Sequence, residues 1–244
     1  MFTVIAGLAS CIGGSIVFYN TKKAYTNKFL GISLAFSAGV MLYISFTEIL
    51  SKAQEYLGGD TASALFRVNI GFFSGILFMI LLSIVLPENK DGATRLTKAG
   101  VYASLATTVH NFPEGLVTFM AVLDGSSASF PTFFAIALHN IPEGVAAALP
   151  TAHGTKSKLK GFLAASVSAV AEPLGALIGW FLLKPIINDT TNGIIFAASA
   201  GIMVYLCFDE LLPLAYEYCG EKKSVTAVIC GFAVMALSLT LLNV

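Results

Sequence analysis

Charged residues are scarce in this chain. Aspartate, glutamate, lysine and arginine together make up only 11% of its 244 residues, whereas 56% are hydrophobic and the mean hydropathy is +0.81. An ordinary soluble domain carries about 25% charged and about 45–50% apolar residues. The composition therefore argues against a soluble domain and predicts an integral membrane protein. The formal net charge is zero, so nothing indicates a nucleic-acid partner.

Thiol motifs and nucleotide-binding motifs are also missing. The cysteines form no CxxC pair, which argues against a thiolate metal centre or a redox dithiol. We expect the four cysteines, Cys11, Cys207, Cys219 and Cys230, to be small core residues. No GxxxxGKS or GxxxxGKT motif occurs, so this chain does not itself hydrolyse nucleotide.

Eight apolar stretches, each long enough to cross a bilayer as a helix, follow one another along the chain. Backbone groups in lipid must be hydrogen-bonded within their own segment, so we expect helices. No segment between them is long or polar enough to form a soluble domain. The predicted fold is an all-α integral membrane protein with one transmembrane domain over residues 1–244. The predicted spans are 2–20, 29–50, 69–87, 99–122, 128–150, 160–183, 191–215 and 224–243.

The loops between these spans differ in positive charge. Eleven of the fourteen lysines and arginines fall in the first, third, fifth and seventh loops, and the others are Lys52, Arg67 and Lys184. Positive residues concentrate on the cytoplasmic side of a membrane. The count predicts cytoplasmic odd loops and both termini outside. The segment 8–11, LASC, resembles a lipoprotein signal, but no basic residue precedes it, so we expect an uncleaved first span rather than a signal peptide.

An internal repeat relates the second and seventh spans. The segments 37–58 and 199–220 are identical at 12 of 22 positions, including the pair Glu48 and Glu210. The two spans lie five apart, so they cross the membrane in opposite directions. Inverted repeats are typical of transporters. We therefore predict a 3+2+3 bundle, in which a pseudo-twofold axis relates spans 1–3 to spans 6–8 and spans 4 and 5 lie between them.

The fourth and fifth spans carry the same polar motif at their centres. The segments VHNFPEGLV (109–117) and LHNIPEGVA (138–146) repeat His, Asn, Pro and Glu in one order. Positions i, i+3 and i+4 share one face of a helix, so the His, Asn and Glu of each motif point the same way. Ionisable residues at mid-membrane depth are costly and are functional by default. These residues are His110, Asn111, Glu114, His139, Asn140 and Glu143.

A third buried acid, Glu172, is expected near the centre of the sixth span. No lysine or arginine lies in the interior of any predicted span to neutralise the acids. Imidazole and carboxylate without thiolate suit Zn²⁺, Fe²⁺, Co²⁺ or Mn²⁺ better than Na⁺ or Ca²⁺. One predicted site uses His110, Glu114, His139 and Glu143. A second site, which shares the carboxylates, uses Asn111 and Asn140, with Glu172 between the two.

Three other interpretations compete with metal transport. Pro113 and Pro142 remove a backbone hydrogen bond and should loosen their helices, and polar residues at such a kink can bond across helices without any metal. An intramembrane metal-dependent hydrolase needs an open metal position and a free carboxylate base, as in HExxH. Here Asn follows each His, which argues against that enzyme. A structural scaffold leaves the buried acids unexplained.

These motifs resemble those of the Zrt-/Irt-like (ZIP) metal transporters, in particular the short zinc transporters among them. The resemblance rests on residues 110–115, 139–144 and the Glu-Pro-Leu-Gly run at 172–175, and it covers nearly the whole chain. It implies eight helices, a binuclear metal site and import of zinc and related ions, such as iron, manganese, cobalt and cadmium, into the cytoplasm. Many members carry a His-rich loop between helices 3 and 4, but here that loop, PENKDGATRLTK, has no histidine.

Further acids are expected near the ends of the pathway. Glu48 should lie near the outer mouth, and Asp209 and Glu210 near the inner mouth, where they would attract cations. Caps or loop hydrogen bonds are the competing interpretation for all three. His153 is expected to be exposed in a cytoplasmic loop. The expected partners are divalent metal ions and the lipid bilayer of the cell membrane, no cofactor is expected, and a homodimer is left open.

Overall fold

The computed structural model describes residues 1–19, 26–85, 92–123, 129–183 and 188–242. Within these ranges all regular secondary structure is helical, and the helices form eight continuous segments, numbered here in chain order. An apolar chain favours helices because each backbone group then finds its partner locally. The segments are α1 (Phe2–Gly14), α2 (Asn27–Tyr56), α3 (Ala62–Val85), α4 (Gly92–Leu123), α5 (Ser129–Thr155), α6 (Lys158–Ile178), α7 (Asp189–Cys219) and α8 (Glu221–Leu242).

Six of the described helices, α2, α3, α5, α6, α7 and α8, are long and apolar enough to cross a membrane. The helix α1 is apolar but shorter, even with the 3₁₀ turn Ser15–Phe18 that extends it. The helix α4 has 32 residues, but the polar residues of its motif lie in its middle. The prediction of an all-helical membrane protein is confirmed, and the count of eight spans stays a prediction. The predicted span ends at 20, 87, 128 and 243 lie outside the described residues.

The helices α2 and α7 each contain one π-helical turn. These turns are Ser45–Ile49 and Cys207–Leu211, and they carry Glu48 and Glu210. A π turn widens the helix locally and occurs frequently at functional sites. By contrast, α4 continues as α-helix through Pro113, and α5 continues as α-helix through Pro142.

Polar caps and one glycine set several helix ends. The Thr26 side chain accepts a hydrogen bond from the Phe29 backbone amide at 3.2 Å at the start of α2. Asn188 and Thr191 form a reciprocal capping box at the start of α7. Gly220 separates α7 from α8 and adopts a φ of 81°, a conformation that other residues avoid. The chain can therefore reverse there within a single residue.

The helices pack as two groups of four. One group consists of α1, α4, α5 and α6, and the other of α2, α3, α7 and α8. Contacts of α2 with α5 and of α4 with α7 join the groups. The outer faces of α3 and α8 remain mostly exposed and apolar. Such faces suit contact with lipid, which is as apolar as the side chains themselves.

Glycines allow the backbones of α4 and α6 to touch. A Cβ atom at Gly115 would overlap the carbonyl of Glu172, and one at Gly175 would overlap the carbonyl of Phe112. Small residues at a crossing permit this close approach between membrane helices. The contact places the HNxPEG motif of α4 directly against Glu172, the third buried acid.

Two expectations about single residues are wrong. His153 is only 8% exposed and its Nδ1 lies 2.8 Å from the Leu149 carbonyl, because α5 continues to Thr155 and holds this residue on a packed helix. Cys230 is exposed on the outer side of α8 rather than in the core. The expectation of a core position holds for Cys207 and Cys219, which are buried.

Candidate metal centre

Every predicted ligand in the two HNxPEG motifs, residues 110–115 and 139–144, is buried in the structure. The packing of α4 against α5 brings the two motifs together, and α6 adds its acid from a third side. No residue of this set is more than 5% exposed. The set comprises His110, Asn111, Glu114, His139, Asn140, Glu143 and Glu172.

The Glu114 carboxylate lies between the two histidines. Its Oε1 is 3.2 Å from His110 Nε2, and its Oε2 is 3.1 Å from His139 Nε2. The three side chains offer ligand atoms that all lie within 4.8 Å of one another. Glu114 and His110 are one turn apart on α4, whereas His139 comes from α5. One carboxylate therefore links donors from both helices.

The orientation of His139 is fixed by its own helix. Its Nδ1 lies 2.9 Å from the carbonyl oxygen of Ala135. A carbonyl oxygen only accepts, so Nδ1 carries a proton and donates it. In the neutral ring Nε2 then has a free lone pair that faces the Glu114 carboxylate, an arrangement that repels unless a cation lies between the two atoms. This is the way in which a second hydrogen bond prepares a histidine to bind metal.

His110 and Glu143 extend the cluster. His110 Nε2 is 3.8 Å from Glu143 Oε1. Within the described part of the chain, His110 Nδ1, His110 Nε2 and Glu143 Oε1 are buried and have no hydrogen-bond partner. Buried polar atoms are normally hydrogen-bonded, so exceptions need an explanation. A bound metal ion would supply the missing partner for both residues.

Asn140 and Glu172 form a second group beside the first. Asn140 Nδ2 donates to Glu172 Oε1 and also to the carbonyl of Ala6 at 3.0 Å. Asn140 Oδ1 and Glu172 Oε2 are buried and find no hydrogen-bond partner among the described residues. An amide oxygen and a carboxylate oxygen are thus left as two further donors to a cation.

Asn111 approaches the cluster from α4. With its amide turned to satisfy both neighbours, its Nδ2 donates to the Thr107 carbonyl at 2.9 Å and to Glu143 Oε2 at 3.1 Å. In the opposite orientation Nδ2 only reaches the Ser168 carbonyl at 3.5 Å. The first orientation makes Asn111 a partner that positions Glu143.

The spacing of the donors fits a transition metal. Tetrahedral zinc with ligands at about 2.0–2.1 Å places neighbouring donor atoms about 3.3 Å apart. The three separations that link His110, Glu114, His139 and Glu143 are 3.1, 3.2 and 3.8 Å. The donor set, with imidazole nitrogen and carboxylate oxygen but no thiolate, also suits zinc and its neighbours in the first transition row.

A narrow cavity leads towards this cluster from Glu48. The cavity has a volume of about 10 Å³, and its lining includes Glu48, Lys52, Glu114 and His139. Glu48 is 8% exposed and is paired with Lys52 Nζ at 2.6 Å. Sequence reasoning treated Lys52 only as one of the loop charges, although its i+4 spacing from Glu48 was a signal for this pair.

The acids of α7 occupy different environments. Asp209 is exposed, whereas Glu210 is only 9% exposed. Glu210 interacts electrostatically with Asp209 and with Lys98 and Arg95 of α4. The structure therefore does not bring these two acids into the buried cluster.

The fold and the cluster together define a polytopic helical membrane protein that encloses metal-type donors between its helices. The family described as ZIP Zinc transporter matches residues 87–239 of this chain. The chain belongs to this family of transporters, and it is a multi-pass protein of the cell membrane.

Relatives with high similarity extend over nearly the full chain. A zinc transporter ZupT from Streptococcus mutans is 44% identical over 99% of this chain and 96% of its own length. A zinc transporter ZupT from Clostridium perfringens is 40% identical over 99% of this chain and 94% of its own length. A third, from Chlorobium luteolum, is 41% identical over 100% of this chain and 97% of its own length.

Proposed function

We propose that this chain transports zinc across the cell membrane through the buried cluster between α4, α5 and α6. The observation that carries the proposal is the Glu114 carboxylate, which faces the Nε2 atoms of both His110 and His139. Three buried carboxylates and two imidazoles at one place favour a doubly charged cation. The similarity to relatives named zinc transporter makes zinc the proposed cargo.

The proposed site holds two ions. The first is bound by His110, Glu114, His139 and Glu143, and the second by Asn111, Asn140 and Glu172 with the shared carboxylates. The unpartnered oxygens of Asn140 and Glu172 support the second position. Fe²⁺, Mn²⁺, Co²⁺ and Cd²⁺ are proposed as further cargoes, since the same donors accept them with different strength.

The proposed architecture is one domain of eight spans with inverted symmetry, and the glycine contacts support it. Gly115 of α4 meets the carbonyl of Glu172 in α6, and Gly144 of α5 meets the carbonyl of Ser10 in α1. Ser10 and Glu172 are 162 positions apart, as are the repeated segments 37–58 and 199–220. Gly115 and Gly144 are 29 apart, as are the two HNxPEG motifs.

The second group of helices has a matching pair of contacts. Gly201 of α7 meets the carbonyl of Phe72 in α3, and Gly39 of α2 meets the carbonyl of Val228 in α8. Gly39 and Gly201 are again 162 positions apart. The partner residues Phe72 and Val228 are 156 positions apart, so this pair of contacts matches the repeat only approximately, but it supports an inverted arrangement.

The proposed direction of transport is into the cytoplasm. The distribution of lysine and arginine places both termini and Glu48 on the outer side, although Lys22, Lys23, Lys90 and Lys184 lie outside the described residues. Zinc would then enter past Glu48, occupy the midplane site and leave towards Asp209 and Glu210. Rocking of one helix group against the other would alternate the access.

A metal-dependent hydrolase fits the site poorly. Such an enzyme keeps one carboxylate free to act as a base. Both oxygens of Glu114 face histidines, and Glu143 is held beside His110 and Asn111. Every proposed ligand comes from a single chain, so the site does not require the homodimer that the sequence left open.

Uptake into sealed proteoliposomes tests the proposal. The full chain is reconstituted with a zinc-sensitive dye inside, and zinc is added outside, with Fe²⁺, Mn²⁺, Co²⁺ and Cd²⁺ in parallel. Zinc should enter at a saturable rate that depends on the chain, and a second transported metal should compete with it. Zinc flux no faster than in protein-free vesicles would contradict the proposed function.

A further inference from the structure

An ion pair borders the narrow cavity that reaches the metal centre. Lys52 lies one helical turn beyond Glu48 on α2, and its Nζ is 2.6 Å from Glu48 Oε1. Both residues line the cavity together with Glu114 and His139. The cavity volume of about 10 Å³ is close to that of a single water-sized probe. An ion that follows this path to Glu114 must therefore pass the pair.

The Glu48 carboxylate is only half satisfied. Its side chain is 8% exposed, and its Oε2 has no hydrogen-bond partner among the residues that the structure describes. Its other oxygen binds the ammonium of Lys52, whose side chain is 28% exposed. Pairs at i and i+4 on a helix are weak, and a lysine side chain moves easily between rotamers. The ammonium can therefore move towards solvent when another cation takes its place at Glu48.

We propose that Lys52 is a displaceable counter-ion that regulates a metal entry site at Glu48. An arriving Zn²⁺ replaces the ammonium at Oε1 and also engages the unpartnered Oε2, while Lys52 swings towards solvent. The ammonium weakens zinc binding at the mouth, so the ion passes on to Glu114 and His139 instead of staying there. A permeation pathway needs binding that is strong enough for entry and weak enough for release. This inference rests on the proposed function and deepens it.

The counter-ion belongs to one end of the protein. In the internal repeat Glu48 corresponds to Glu210, and Lys52 corresponds to Leu214, which is fully buried. The cations near Glu210 come instead from α4, as Lys98 and Arg95. Glu48 therefore has a counter-ion on its own helix, one turn away, whereas Glu210 has none at the corresponding position of α7.

Zinc uptake kinetics test the role of Lys52. Lys52→Gln should lower KM for zinc about two- to fivefold, the range expected for a weak helical ion pair, and Lys52→Arg should keep KM near the wild-type value. In a Glu48→Gln background, Lys52→Gln should have no further effect. Arg67→Gln is the matched control, because Arg67 lies in the second turn of α3 but donates to the Leu57 carbonyl at 2.8 Å instead of to the cavity acid. An unchanged or raised KM in Lys52→Gln, or an equal change in both backgrounds, would overturn the proposal.

A labelling experiment tests the displacement without transport. The full chain in detergent is treated with an amine-acetylating reagent with and without zinc, and acetylation is measured by mass spectrometry, with the exposed Lys222 as internal reference. Zinc should increase acetylation of Lys52 about twofold or more relative to Lys222. Glu48→Gln should remove the response. If zinc does not change the acetylation of Lys52 in the wild type, the counter-ion proposal is wrong, even if zinc uptake is normal. If zinc increases the acetylation but the chain shows no zinc uptake, the counter-ion proposal is supported and the proposed function is contradicted.

Discussion

Glu114 Oε2 lies 3.1 Å from His139 Nε2, although the two residues are 25 positions apart and belong to different helices. The Ala135 carbonyl holds the Nδ1 proton of His139 at 2.9 Å. The lone pair of Nε2 therefore points at a carboxylate oxygen, and a cation between them relieves the repulsion. The contact joins α4 to α5, and in the proposed transport site a zinc ion would lie between these two atoms.

Substitution of either residue should abolish transport. Glu114→Ala and His139→Ala each remove one donor from the linked cluster, and we expect zinc uptake in proteoliposomes to fall by at least about 100-fold. His153→Ala is the matched control, because His153 is also a buried histidine of α5 whose Nδ1 faces a carbonyl four residues earlier. The control should retain uptake.

Folding must be checked in the same variants. Each protein should give a monodisperse peak in size-exclusion chromatography in detergent, since removal of a metal ligand leaves the helix packing intact. Normal uptake by either Glu114→Ala or His139→Ala would contradict the proposed centre.

The number of bound ions should distinguish a binuclear from a mononuclear site. The wild-type chain should bind two zinc ions, measured by elemental analysis after equilibrium dialysis. Glu172→Gln should reduce this number towards one, because Glu172 and Asn140 supply the two unpartnered oxygens of the second group. Retention of two ions in Glu172→Gln would exclude Glu172 as a ligand.

The sequence predicts the central cluster well, for a simple geometric reason. Helical spacing places His110 and Glu114 on one face, and the second motif repeats that face in the next span. Two adjacent polar faces inside an apolar protein have no stable position except against each other. The structure accordingly brings His110, Glu114 and His139 together.

Features that depend on tertiary packing were harder to predict. The π turns Ser45–Ile49 and Cys207–Leu211 leave no periodic signature, because α2 and α7 are apolar on nearly all sides and the phase shift of one extra residue then displaces no polar stripe. Lys52 was counted as a loop charge, since hydropathy ends the span near residue 50, whereas α2 continues to Tyr56. His153 was placed in a loop for the same reason.

Neutralisation of Glu48 should affect the capture of zinc more than its passage. Glu48→Gln removes the negative charge that borders the narrow cavity, so we expect slower uptake at low zinc and near-normal uptake at saturating zinc. Initial rates across a range of zinc concentrations measure this. Glu55→Gln provides a control, because Glu55 is an exposed acid of the same helix outside the cavity lining. A loss of rate that is equal at all concentrations would indicate a structural role for Glu48.

The crossing of α4 and α6 should tolerate no side chain at Gly175. A Cβ atom there would overlap the Phe112 carbonyl, so Gly175→Val must push the helices apart and move Glu172 away from Asn140. We expect a loss of about 1–3 kcal/mol in stability, seen as a lower melting temperature in detergent, together with loss of zinc uptake. Leu174→Val is the control, because Leu174 is 45% exposed on the outer side of the same helix. A Gly175→Val protein with wild-type melting and uptake would show that the close contact of α4 and α6 does not position the metal centre.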